Sequence, residues 1–207
     1  MCANFAPSRQ AAWERAFAAQ CPSGAFASEV FPGQAAPILM NDRAHSSALA
    51  TFGLLPHWAR PDLVRKTYNA RSETAWQKPS FREAWRKAQF CIVPADTLFE
   101  PRYLEGRAVR WGIRSVDDRP LGIAGLWESR ETADGLHYSF TMLTINADHH
   151  PVMKDMHRPG DEKRMVVILA PERYDEWLGT TPQRAMEWLT EFPAEKLTAL
   201  PCPRNPR

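Results

Sequence analysis

The run Tyr138-Ser139-Phe140-Thr141-Met142-Leu143-Thr144-Ile145 alternates over its first half and then turns apolar on both sides. An extended chain points successive side chains to opposite faces, so this pattern suits a strand passing into a core. Further strand candidates are Ile38–Met40, Phe90–Val93, Ala108–Ile113, Leu121–Trp127 and Met165–Leu169. Helical spacing belongs mostly to the ends. After Ser8, Trp13, Ala16 and Phe17 fall on one helical face. Pro171 opens a segment with Tyr174, Trp177 and Leu178 on one side and Gly179 as its stop, and Thr181-Pro182 opens another with Ala185, Trp188 and Leu189 inward. Between them, Ser80-Phe81-Arg82-Glu83 has the form of a capping box before the stripe Phe81, Trp85, Ala88. Strands in the middle and helices around them predict an α+β fold with a β-rich mixed or antiparallel core and peripheral helices, not βαβ repeats.

A chain of 207 residues is the size of one domain, and no repeat or linker divides it. We read residues 1–207 as a single domain whose tail, from about 195 to 207, is extended. No glycine-rich phosphate loop appears, so a nucleotide-cofactor fold is not expected and no cofactor is assigned. No stretch approaches the ~20 apolar residues of a membrane span, and the opening MCANFAPSRQ lacks the layout of a secretory signal. The expectation is a cytoplasmic monomer.

The net charge is only +2, which excludes a histone-like polycation. Between residues 60 and 90, however, Arg60, Arg65, Lys66, Arg71, Lys78, Arg82, Arg86 and Lys87 face only Asp62, Glu73 and Glu83. Tyr68, Trp76, Phe81 and Trp85 are interleaved with them. Cations mixed with aromatics suit single-stranded nucleic acid, whose phosphates attract charge and whose bases stack. A solvated helix face with core aromatics gives the same composition, and on composition alone it is the better reading.

Of the four cysteines, Cys2, Cys21, Cys91 and Cys202, no two have the close spacing of a metal knuckle. Cys91, in Phe90-Cys91-Ile92-Val93, reads as a small buried hydrophobe. Cys2 differs by position. Removal of Met1 would leave a free α-amine beside a thiol, with reference pKa values of ~7.7–8.0 and ~8.5. An aldehyde gives an imine with that amine, and the thiol then closes on the imine carbon to form a five-membered thiazolidine. Only an amino-terminal cysteine offers this pair. From position alone, an accidental cysteine in a frayed terminus is the better explanation of Cys2.

Several segments, in order, carry a family resemblance. They are Met1-Cys2 with Phe5, then Phe52-Gly53-Leu54-Leu55-Pro56-His57-Trp58-Ala59, then Tyr68-Asn69-Ala70-Arg71-Ser72-Glu73-Thr74 running to Lys78-Pro79-Ser80-Phe81. Cys91-Ile92-Val93-Pro94-Ala95-Asp96 with Phe99-Glu100, and Met156-His157-Arg158-Pro159 before Arg164-Met165, complete the set. The chain resembles the SOS response-associated peptidase family of abasic-site processing proteins. The resemblance implies a β-rich α+β domain with a groove for single-stranded DNA, acting in the DNA damage response. It implies covalent capture of abasic sites by the amino-terminal cysteine; autopeptidase or lyase side activities, and the replication machinery as a partner, stay open.

Carried over by position, the catalytic set is Cys2, Asn69, Glu100 and His157. Physical chemistry supports each role. Glu100, ending an apolar run, suits an acid and base used in turn. His157 can shuttle a proton or bind sugar and phosphate, and the Asn69 amide can hold the Cys2 terminus or the ring-opened hydroxyl. Arg71 is the leading phosphate contact. Trp58 and Phe31-Pro32 are expected to stack on or wedge beside the flanking bases, and Asn4 completes the DNA-facing set. The sequence departs from the family at Ala3-Asn4, where Gly-Arg is usual, at Ser28-Glu29-Val30-Phe31-Pro32, and at Pro101, where a tryptophan usually follows the glutamate. Three other readings stay open: a cysteine peptidase using Cys2 and His157, a metal module of His149, His150, His157 and a cysteine, and a homologue that binds single-stranded DNA without a covalent bond.

Overall fold

A computed structural model describes residues 2–17, 19–42 and 46–204. Its first half contains β1 (Phe5–Pro7), α1 (Gln10–Ala16), β2 (Ala35–Met40), β3 (Ser47–Phe52), α2 (Val64–Thr67), β4 (Asn69–Arg71), α3 (Ser72–Ala75) and α4 (Arg82–Arg86). Four long strands come next, β5 (Phe90–Leu104), β6 (Arg107–Ser115), β7 (Leu121–Thr132) and β8 (Gly135–Asn146). Then come β9 (Arg164–Val166), β10 (Ile168–Leu169), α5 (Tyr174–Leu178) and β11 (Leu197–Pro201). The strands form one mixed sheet, antiparallel except where β3 and β4 run parallel to β8. Because β5 pairs with both β2 and β7, the circuit β5–β2–β3–β8–β7 closes on itself. Closure removes free sheet edges along that circuit.

The interior obeys the patterns that define the strands. The stretch Phe140–Ile145 of β8 is buried on both faces, as the shift from alternating to continuous apolar residues predicts. Phe52 and Phe140 stack at 5.1 Å, and Phe5 meets Phe52 edge-on at 5.3 Å. Phe5 thereby ties the amino-terminal segment to the core. Helix α5 packs outside: Trp177 lies 4.7 Å from Phe90 and donates its indole N–H to the Cys91 carbonyl at 2.9 Å.

Two local expectations are corrected. No capping box forms at Ser80: α4 has Phe81 at its N-cap and no side-chain cap. The N–H groups of Phe81 and Arg82 both donate to the Lys78 carbonyl at 2.9 Å, and the Glu83 carboxylate accepts from Arg86 at 2.7 Å. After Thr181-Pro182 the chain forms only a 3-10 turn, Ala185–Trp188, and it stops where Leu189 turns to ψ 65°. The tail expected to be extended pairs as β11 with β6, Leu197 opposite Ser115 through Pro201 opposite Trp111. Phe81 and Trp85 enter the core while Trp76 stays exposed, so the aromatics of the basic segment divide between packing and surface. Among the described residues, no helix is long and apolar enough to cross a membrane.

Candidate active site

Cys2 is held in place by its neighbours along the chain. The Asn4 carbonyl accepts from Phe99 N–H at 3.0 Å, and Phe5 exchanges backbone hydrogen bonds with Val30. β1 then pairs with β5, Phe5 opposite Leu98. The Cys2 side chain is 2% exposed and its thiol donates to the Asn4 carbonyl at 3.4 Å. Cys2 is docked rather than frayed.

Three further elements converge on it. β4 runs beside β8, and Asn69 Nδ2 donates to the Cys2 carbonyl at 2.7 Å. The other amide atom, Asn69 Oδ1, is buried and accepts no hydrogen bond among the described residues. Strand β5 supplies Glu100, 3% exposed, one residue before Pro101. His157 reaches Glu100 from the loop before β9, with Nε2 2.9 Å from Oε2. That loop is fastened to β5 itself, because His157 N–H donates to the Pro101 carbonyl at 2.6 Å. Arg102 bridges to both Met156 and His157. His157 adopts φ +63°, a conformation uncommon for a residue with a side chain and kept only where surroundings enforce it.

The four residues read as the catalytic set are thus brought together. Burial pushes the Cys2 thiol far above its ordinary pKa, and the nearby Glu100 charge pushes it further. The Tyr68 hydroxyl is raised by burial and then by Glu100 and Cys2, which places a fifth polar group beside the cluster. In the sequence Tyr68 belongs to a motif without having a role there. Its position next to Asn69 is the signal that could have found it.

The residues expected to face DNA fall in different settings. Arg71 is two residues from Asn69 along β4, hence on the same face; its side chain is half exposed and pairs with Glu162 at 2.8 Å. Trp58 is 54% exposed. Phe31 and Pro32 are half-buried, and the Arg204 guanidinium lies 5.0 Å above the Phe31 ring. Asn4 is buried, with Nδ2 donating to Val30 O at 3.3 Å and Oδ1 accepting from Arg110 at 3.0 Å. Arg110, which sequence reasoning does not single out, also pairs with Glu29 at 2.8 Å and stacks 3.5 Å over Phe99. An arginine of β6 thus bonds the side chain at position 4.

Of the proposed metal ligands, His150 has both ring nitrogens engaged: Nδ1 accepts from Val152 and Met153 N–H, and Nε2 lies 2.9 Å from Phe192 O. Among the described residues no three His, Cys, Asp or Glu side chains gather in a metal-binding group.

The sequence model of the SOS response associated peptidase (SRAP) family matches residues 1–205. The chain is 32% identical to the abasic site processing protein YobE of Bacillus subtilis, over 82% of this chain and 77% of that one. It is 31% identical to the abasic site processing protein YoaM of the same organism, over 82% and 74%. A solved structure of a protein from Bordetella bronchiseptica superposes with a TM-score of 0.89 at 38% identity, covering 97% of this chain and 99% of that one. The chain belongs to the SOS response associated peptidase family.

Proposed function

We propose that this protein recognises abasic sites in single-stranded DNA and, once Met1 is removed, links itself to the exposed sugar aldehyde through Cys2. The observation that carries the reading is the convergence on Glu100: His157 bonds it at 2.9 Å, its charge acts on the Cys2 thiol, and Asn69 grips the Cys2 carbonyl at 2.7 Å. The names of the relatives, abasic site processing proteins, support the same substrate.

In this reading the Cys2 amine adds to the aldehyde carbon, giving a carbinolamine. Glu100 takes the ammonium proton and returns it to the departing hydroxyl, so one water leaves and an imine remains. The Cys2 sulfur then bonds the imine carbon, and the thiol proton ends on nitrogen. The product is a thiazolidine, one water lighter than its reactants. His157 orients Glu100 and passes protons to the opening sugar, while Asn69 holds the amino terminus and offers Oδ1 to the amine or a sugar hydroxyl. Arg71 binds a flanking phosphate, Trp58 and Phe31-Pro32 meet neighbouring bases, and Asn4 acts through Arg110.

A peptidase would require a readily ionised thiol paired with imidazole. Here the thiol is pushed up rather than down, and His157 Nε2 is committed to Glu100. An amine-first reaction, with the thiol arriving protonated, fits that electrostatic setting better.

The test uses Met1-free protein, verified by mass, and a single-stranded oligonucleotide with one abasic site. Denaturing electrophoresis should show an adduct without borohydride, absent in Cys2→Ala and formed about 100-fold or more slowly in Glu100→Gln. An adduct retained in Cys2→Ala, or none from the Met1-free wild type, overturns the proposal.

A further inference from the structure

The loop between His157 and β9 carries a carboxylate that the capture chemistry does not use. Glu162 Oε2 lies 2.8 Å from Arg71 Nη1, and its other oxygen lies 2.9 Å from Arg164 Nη1. Arg164 is a fixed anchor. Its side chain is 3% exposed, forks onto Glu73 at 3.0 and 2.9 Å, and donates to Thr144 O at 2.7 Å. An exposed ion pair normally contributes little, because two long side chains must be ordered to make it. Glu162 is already ordered by Arg164, so only Arg71 has to be recruited. The hydrogen bond from Arg164 and its charge also keep the Glu162 carboxyl below the ordinary range, so it is an anion at neutral pH.

Arg71 shares a strand face with Asn69 and is half exposed. It is a cation on the strand whose Asn69 holds Cys2, yet its charge is already answered from within the protein. We propose that Glu162 is a specificity-determining residue that competes with DNA phosphate for Arg71, so that undamaged single strands are held weakly and retention depends on the covalent step. The proposal rests on Arg71 being a phosphate contact. An arriving phosphate exchanges with Glu162 for Arg71, while Glu162 stays on Arg164 and the loop that carries His157 keeps its anchor. For an intact strand this swap of one anion for another gains little. At an abasic site, bond formation comes next and the weak encounter is enough.

The experiment measures fluorescence anisotropy of a short oligothymidine without abasic sites, across a salt series, with Met1-free protein. Glu162→Gln, whose amide oxygen can still accept from Arg164, should bind roughly 3- to 5-fold tighter than wild type. Its log–log salt dependence should steepen by up to about 0.7, the increment for one phosphate on a single strand, because Arg71 no longer gives up one anion to neutralise another. Asp161→Asn removes the same charge from the next residue without touching the Arg71 pair, and it should change affinity by less than about 2-fold. In an Arg71→Ala background, Glu162→Gln should have no effect. Equal tightening by Asp161→Asn, or tightening that survives Arg71→Ala, would reduce the effect to general charge and overturn the proposal. No tightening in Glu162→Gln, with Arg71→Ala still weakening binding, overturns it while leaving the phosphate contact intact. If Arg71→Ala leaves affinity unchanged, the phosphate-contact reading fails and the proposal with it.

Discussion

Cys2 carries two nucleophiles in opposite conditions. Its thiol is buried, raised by desolvation and raised again by Glu100, so near neutrality it is protonated and a poor nucleophile. Its α-amine, freed once Met1 is gone, has a reference pKa of ~7.7–8.0, so part of it is unprotonated near neutrality. In the proposed reaction these conditions favour the amine as the first nucleophile, with the thiol adding once the imine carbon is in reach. The sign of the shift makes a pH prediction. A thiol whose folded pKa lies above its ordinary value stays protonated as pH passes through that ordinary value, and it ionises only beyond it. Alkylation of Cys2 by iodoacetamide in the folded protein should therefore be more than about tenfold slower than that of the more accessible Cys202, and should stay low from pH 7 to 9. Peptide mass mapping reads both rates. A Cys2 alkylated first and fastest at pH 7 would indicate a peptidase-like thiolate and contradict this electrostatic account.

Strand β5 sets the site's geometry. It carries Glu100, its Pro101 carbonyl fixes the His157 backbone, and its Leu98 pairs with Phe5 behind Cys2. A second backbone constraint lies at Gly53, where β3 ends. Its φ is +122°, and an added Cβ would come within 2.4 Å of the Val64 carbonyl and 2.6 Å of Val64 Cα. Gly53→Ala must push α2 away while adopting an unfavourable φ, and should destabilise the fold by roughly 2–4 kcal/mol. A urea midpoint unchanged from wild type would contradict that close approach. The long apolar elements were legible in the sequence because burial on one or both faces writes a period into them, as in Tyr138–Ile145. The shorter ones were not. β4 spans only Asn69–Arg71, too short for any period, so its residues stand out as a motif and not as a strand. Beyond Val93, β5 mixes buried and half-buried positions, so its extension to Leu104 left no pattern. The capping box at Ser80 failed because the Glu83 carboxylate pairs with Arg86 at 2.7 Å, one turn on, and the helix begins from the Lys78 turn.

The whole molecule is a closed mixed sheet whose closure depends on pairings distant in sequence. β3 and β4 lie parallel to β8, and β5 pairs with β2 as well as β7. Those crossovers carry Cys2, Asn69, Glu100 and His157 from four separate segments to one place. No local pattern encodes that convergence, which is why each residue taken alone had an unremarkable explanation. The family resemblance supplied the set, and the fold supplies the distances: 2.7 Å from Asn69 to Cys2 and 2.9 Å from His157 to Glu100. Arg110 and Glu162 show the converse: each bonds a residue far away in sequence, Asn4 and Arg71 respectively, and neither stands in a motif.

The central claim is a thiazolidine at Cys2. The most direct measurement is intact mass of the Met1-free protein after reaction with an abasic single-stranded oligonucleotide, then peptide mapping, without borohydride at any stage. The account predicts a mass equal to protein plus oligonucleotide less one water, with the DNA remnant on the Cys2 peptide and neither its amine nor its thiol open to modifying reagents. An adduct on a lysine, or one on Cys2 whose thiol still reacts with iodoacetamide, would contradict it.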